Sequence, residues 1–169
     1  MIDESNGYAY IDKRVGDVRN ALAEALSACT TPQEDLRFVA EGLWSIERLI
    51  RHKAREVAVS AFGETWRKKA LYGDLPDKVL ERARGDTYPA ARSVGEIRDP
   101  LEWLTLGELL ELVDRAPYNL LGAARPVWRK LAGDLLPIRN RLSHMRLLRS
   151  ADRDAVRLWL VQAERLFAP

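Results

Sequence analysis

Apolar residues in this chain recur at steps of three and four, and nowhere do they alternate with polar ones as a half-buried strand requires. That property alone restricts the fold to helices. Val15, Val18, Leu22 and Leu26, with Ala21 and Ala25 between them, predict a first helix of about Asp12 to Cys29 behind an irregular lead-in. Thr31-Pro32-Gln33-Glu34 reads as a capping box with proline at the first helical position. Leu36, Val39, Leu43, Ile46, Ile50 and Val57 then carry a second helix to about Ala61, where Gly63 stops it. Trp66, Leu71, Leu75 and Val79 mark one or two short helices, and Gly85-Asp86-Thr87-Tyr88-Pro89 opens a loop-like excursion that reaches Asp99-Pro100.

The second half repeats the pattern with clearer punctuation. Thr105-Leu106-Gly107-Glu108 is a second capping box, its helix stapled at the start by Trp103 and ending near Arg115-Ala116-Pro117. Pro126 starts the next helix, along which Trp128, Leu131, Leu135, Ile138, Leu142 and Met145 form an inward stripe. Pro137 interrupts that stripe and predicts a kink or a fresh helix start two residues before Arg139. Ser150 is expected to cap a last helix with Val156, Leu160, Ala163 and Phe167 inward. The expected fold is all-α, an antiparallel helical bundle in one domain over 1–169. Residues 1–30 form the lead-in and first helix, and 31–168 the bundle core with an excursion at about 63–100.

Composition narrows the function. At 169 residues the chain can bury a sizeable core without metals or disulfides. Its single cysteine, Cys29, permits no internal disulfide and is expected to be a buried, inert thiol in a reducing compartment. No basic leader precedes an apolar run, and no window approaches the roughly 18 apolar residues of a membrane span. A soluble, cytoplasmic protein with no membrane partner is expected. Phosphate-binding loops, glycine-rich dinucleotide turns, nucleophile elbows and Cys/His metal spacings do not occur, so neither a cofactor nor a metal is expected.

Overall charge is near balance at +2, but its distribution is uneven. Residues 125–157 hold nine Lys/Arg against three Asp, a net of +6, which leaves −4 for the rest of the chain. A polyanion-binding surface requires such a basic segment. On the second helix Arg48, Arg51, His52 and Arg55 fall at i, i+3, i+4 and i+7, a basic stripe that is either a solvated face or an extension of that surface.

Within the basic segment, Arg139-Asn140-Arg141-Leu142-Ser143-His144 places an arginine, an amide, a hydroxyl and one of the chain's two histidines in six residues. On an ideal helix Asn140 and His144 lie about 40° apart and Arg139 and His144 about 140°. Asn140 can therefore touch His144, whereas Arg139 needs its long reach, a helix irregularity or a second subunit. Leu142 and Met145 point inward on the same wheel, which sets His144 at the edge of the packed face. Histidine exchanges a proton near neutrality, and arginine holds a phosphate and stabilises its transition-state charge. The pair suits RNA cleavage, where the substrate's own 2′-hydroxyl attacks and leaves a 2′,3′-cyclic phosphate and a 5′-hydroxyl without a divalent ion. A purely structural hydrogen bond between Asn140 and His144 is the plainer alternative.

This stretch resembles the signature of the HEPN superfamily, in which an arginine and a polar residue, commonly asparagine, precede a histidine by a few positions. Asp99-Pro100-Leu101-Glu102-Trp103-Leu104-Thr105-Leu106-Gly107-Glu108-Leu109-Leu110 resembles the segment before the motif in one HEPN subset. That subset occurs in a nuclear RNA quality-control endonuclease and in prokaryotic conflict proteins. Leu43-Trp44-Ser45-Ile46-Glu47-Arg48-Leu49-Ile50-Arg51 is similar to its early helix. The resemblance spans roughly Thr31 to Phe167.

It implies a helical bundle that pairs as a symmetric homodimer with a composite active site, acting as an endoribonuclease in defence or as a toxin. Arg139 and His144 carry over as catalytic residues and Asn140 as the polar neighbour that orients or contacts phosphate. Ser143, Arg141 and Arg146, with Arg51 and Arg55 from the second helix, are the expected RNA contacts. An antitoxin or effector protein is a further expected partner. Toxins of the superfamily governed by a nucleotidyltransferase antitoxin carry a tyrosine where Arg146 stands, so nucleotidylation is not expected at this position. Some members are inactive, which leaves a noncatalytic RNA-binding, nucleotide-binding or dimerisation module as the alternative.

Overall fold

The computed structural model describes the backbone of residues 4–28 and 33–167 and the side chains of 13–25 and 34–167. Cys29, Thr31 and Pro32 lie outside these residues, and with them the thiol and the first capping box. Among the described residues all regular structure is helical: α1 (Glu4–Ala28), α2 (Gln33–Phe62), α3 (Trp66–Lys69), α4 (Leu75–Arg84), α5 (Leu106–Val113), α6 (Arg125–Ser143) and α7 (Ser150–Phe167), joined in part by single 3₁₀ turns. The fold is all-α, as the apolar spacing requires.

α1 starts earlier than the periodicity suggests, because no proline occurs before Pro32 and nothing stops the helix from propagating back to Glu4. From Glu4 onward the expected irregular lead-in is therefore helix. Its apolar stripe is uncovered: Val15, Val18 and Leu22 are 46, 67 and 57% exposed. α2 is the central element. Val39, Leu43, Ile46 and Ile50 are buried on it, joined by Ala54 and Ala58, and Gly63 ends it in the left-handed conformation at φ 54°.

The excursion over 63–100 belongs to the same core. Trp66, Leu71, Leu75, Val79, Val94 and Ile97 are buried in one cluster with the α2, α5, α6 and α7 residues. Tyr118, almost wholly buried, donates its hydroxyl to the Ala70 carbonyl at 2.7 Å and ties the end of α3 to the turn before α6. Thr105 caps α5 through the predicted capping box, its hydroxyl accepting from Glu108 N–H and the Glu108 carboxylate accepting from Thr105 N–H at 2.8 Å. Trp103 does not make the staple. It lies in the 3₁₀ turn Pro100–Trp103, edge-on to Tyr88 with centroids 6.3 Å apart, while the staple positions fall to the buried Leu104 and Leu109.

Direction within the bundle is mixed. Asp35 pairs with Arg153, and Gly42 sits against Val156 and Leu160, so α2 and α7 run the same way. Gly42 is the reason they approach closely, since a Cβ there would lie 2.4 Å from Val156 Cγ1. The antiparallel relation holds for α6 and α7: Trp128 meets Phe167 at one end, Asp134 accepts from Trp159 Nε1 at 2.8 Å, and Arg141 pairs with Asp152 at the other end.

α6 runs through Pro137 as one helix, so of the two expected outcomes, a kink or a fresh start, the fresh start does not occur. Pro137 is exposed on the outer face, and the carbonyl it deprives of a donor belongs to Gly133, also exposed, where solvent can satisfy it. α7 begins with Ser150 inside the helix, not capping it. The cap is made by Asp152, whose carboxylate accepts from the Arg149 N–H at 2.8 Å.

Candidate functional site

The six-residue motif spans the carboxyl end of α6, and the helix ends before the motif does. Ser143 is its last residue and His144 the C-cap. Met145 N–H donates to Leu142 C=O at 3.1 Å and Arg146 N–H to Arg141 C=O at 2.8 Å, the two bonds of a Schellman motif. That motif needs a left-handed residue directly after the cap, a place usually taken by glycine; here it is Met145 at φ 52°. The wheel therefore does not extend past Ser143. Met145, expected in the core, is 95% exposed, while Leu142 packs against the core as predicted.

This ending sets the geometry of each candidate residue. Arg139 is half-buried, and its Nη1 lies 3.5 Å from the Ser143 hydroxyl, which itself donates to the Asn140 carbonyl at 3.2 Å. His144 is exposed, and its backbone N–H donates to the Asn140 carbonyl at 3.2 Å. Asn140 and His144 are thus joined through the backbone and not by their side chains. No hydrogen bond among the described residues joins Arg139 to His144.

Arg141 has a different place. Its guanidinium makes a two-pronged ion pair with Asp152, one prong Nε to Oδ2 at 3.0 Å, with side-chain exposures of only 15 and 6%. It is a clamp between α6 and α7 instead of a free RNA contact. Because Asp152 also takes the Arg149 N–H, one carboxylate fixes both ends of the 144–149 return. That return, with the outer face of α6, encloses a groove of about 610 Å³ whose lining includes Pro137, Asn140, the clamped Arg141, Arg146, Leu147 and Arg149. Asn140 and Arg146 meet there, with Arg149, which spacing did not single out. Arg139, Arg146 and Arg149 make no ion pair among the described residues.

The second-helix stripe is not part of this surface. Arg51 is 8% exposed, its Nε donating to Leu101 C=O at 3.0 Å and its Nη2 to Leu104 C=O and Glu47. Arg55 pairs with Asp99 and Glu102, and Arg48 with Glu102. Arg51 and Arg55, expected to contact RNA, are held by the acids and carbonyls of the segment 99–104, Arg51 buried and Arg55 with its side chain still 37% exposed. His52 stays exposed, 3.3 Å from Glu56. Among the described residues no three His, Cys, Asp or Glu side chains converge as a metal ion would require, and no helix is long and apolar enough to cross a membrane.

No family model matches this chain, and neither a curated protein nor a solved structure matches it.

Proposed function

We propose that the chain is a metal-independent endoribonuclease of the HEPN type, with a role in defence or as a toxin. His144 acts as general acid/base, Arg139 stabilises the charge of the phosphate in flight, and Asn140 orients it. The RNA 2′-hydroxyl is the nucleophile, so the bond broken is phosphorus to the 5′-oxygen, and the products are a 2′,3′-cyclic phosphate and a 5′-hydroxyl. The observation that carries this reading is the placement of an intact arginine and histidine at an exposed helix end, beside a groove with two further unpaired arginines. Arg139 and His144 are not bonded within one chain, which favours a composite site in which a homodimer sets the arginine of one copy near the histidine of the other. A cytoplasmic location and control by an antitoxin or effector protein belong to the same proposal.

Incubation of the purified chain with mixed RNA in EDTA tests it. Cleavage to cyclic-phosphate ends is expected, reduced about 10²- to 10⁴-fold in His144→Ala. Arg139→Ala should lose most of the activity and keep its melting temperature. RNA binding without cleavage, unchanged in His144→Ala, would instead establish the noncatalytic binding or dimerisation module. That second reading draws on the same separation of Arg139 from His144.

A further inference from the structure

Four arginines, two acids and one tryptophan surround a second cavity, of about 460 Å³, between α2, the start of α3 and the segment 98–102. It shares no residue with the motif or its groove. Its size lies within the roughly 300–1,000 Å³ common for small-ligand sites. Both acids are committed: Asp99 to Arg55 and, through a backbone bond of 3.0 Å, to Leu101 N–H; Glu102 to Arg48 and to Arg55 at 3.4 Å. These contacts hold the Arg48 and Arg55 guanidiniums in fixed positions along one side of α2.

Charge is left over. Arg67 donates only to the Arg98 carbonyl, at 3.2 Å, and stacks 5.9 Å from the Trp66 ring. Arg98 is exposed, and neither it nor Arg67 has a carboxylate partner among the described residues. Four cations against two anions give the lining a net +2. Two buried atoms of the Arg55–Asp99 ion pair make no hydrogen bond, the donor Arg55 Nε and the acceptor Asp99 Oδ2. Buried polar atoms without a hydrogen bond are rare in folded proteins, because desolvation is then uncompensated.

We propose that this cavity is an anion site for a phosphate monoester, either a free mononucleotide or the phosphorylated end of an RNA chain. A monoester carries close to two negative charges at neutral pH and three terminal oxygens, matching the surplus charge and the forked donors. An internal phosphodiester carries one charge and fits less well. Arg67 and Arg98 supply the unneutralised charge, and the pinned Arg55 and Arg48 shape the wall.

Calorimetric titration of the intact chain, in chloride buffer, compares inorganic phosphate, a nucleoside 5′-monophosphate, and one short oligonucleotide with a 5′-phosphate or a 5′-hydroxyl. Saturable phosphate binding is expected, weakened at least tenfold in Arg67→Glu/Arg98→Glu. Arg67 and Arg98 are both exposed, so the double variant should keep its melting curve, and Arg67→Lys/Arg98→Lys should retain part of the affinity. If the mononucleotide binds as tightly as the 5′-phosphorylated oligonucleotide, the ligand is the free nucleotide; tighter binding of the oligonucleotide assigns the RNA end. Absence of saturable phosphate binding, or equal binding by wild type and the Arg67→Glu/Arg98→Glu chain, would overturn the site. The ribonuclease reading stands or falls separately, on cleavage in His144→Ala.

Discussion

Two sets of arginines on helices look alike in sequence and do opposite things in the fold. Arg48, Arg51 and Arg55 on α2 meet Asp99, Glu102 and the carbonyls of Leu101 and Leu104, contributed by a segment about 50 residues away in the chain. The guanidiniums of Arg139 on α6 and of Arg146 and Arg149 beyond it pair with no acid among the described residues. Helical spacing puts a charge on a face but does not say what that face meets. Where a remote segment brings carboxylates and free carbonyls, arginine becomes a staple; where none comes, it remains a charged surface available to a ligand.

Substitution separates the two roles most sharply at Arg51. Arg51→Ala removes a buried cation and its donors to the Leu104 and Leu101 carbonyls and Glu47, leaving Leu101 only the Leu104 N–H at 3.3 Å, which should cost about 3 kcal/mol. Arg146→Ala removes an exposed side chain with no partner and should fall within about 0.5 kcal/mol of wild type. Urea unfolding of the two variants checks the comparison: equal midpoints would mean that the α2 cluster is no staple at all.

The same contrast explains what sequence could and could not supply. The α5 capping box was legible because all its atoms lie within four residues, Thr105 to Glu108. The inward stripe of α6 was legible up to Leu142, since one helix and one period govern it. Its end was not: the Schellman turn places a methionine where glycine is the usual signal, so periodicity ran on through Met145. Arg51 looks like surface in the sequence because its partners at 101 and 104 are close only in space. Burial of Trp159 is illegible for a similar reason, as the half-buried acceptor for its ring N–H, Asp134, lies on another helix. Arg139, Asn140 and His144 stand out as candidates from local order alone. The clamp of Arg141 on Asp152 required knowing how α6 and α7 pack.

A second staple, between α4 and α5, gives the comparison a pH signature. Glu108 takes both Arg82 guanidinium prongs, at 2.7 and 2.8 Å, besides the Thr105 bonds, and the Arg82 hydrogen bonds foremost hold its carboxyl down to about 2 from an ordinary 4.5. A carboxyl depressed in the folded state stabilises fully above its unfolded value, and the contribution is lost as pH falls through the folded one. Stability should therefore drop between pH 4.5 and about 2, and Glu108→Gln should remove that part of the acid limb. At neutral pH the variant should be weaker by about 1–2 kcal/mol, the lower figure favoured because Arg82 is 38% exposed and water screens the pair. Melting temperatures of both chains from pH 7 to pH 2 measure it; parallel curves would show that Arg82 and Glu108 behave like the unpaired arginines.

The smallest expected effect lies at the helix end itself and tests whether its strain serves the site. Met145 holds a left-handed conformation that disfavours any side chain with a Cβ, and it gains no burial in return, being 95% exposed. Met145→Gly should therefore stabilise the chain by about 1 kcal/mol, because glycine enters that conformation freely and no packing is lost. The Schellman bonds from residues 145 and 146 persist, so His144 and Arg146 keep their places. If the methionine is only an ill-fitting cap, RNA cleavage and RNA affinity should be unchanged in the stabilised variant. If cleavage falls while the melting temperature rises, the exposed thioether beside His144 contacts RNA or a second copy. The strain would then belong with the unpaired arginines, on the side of the molecule that trades stability for binding.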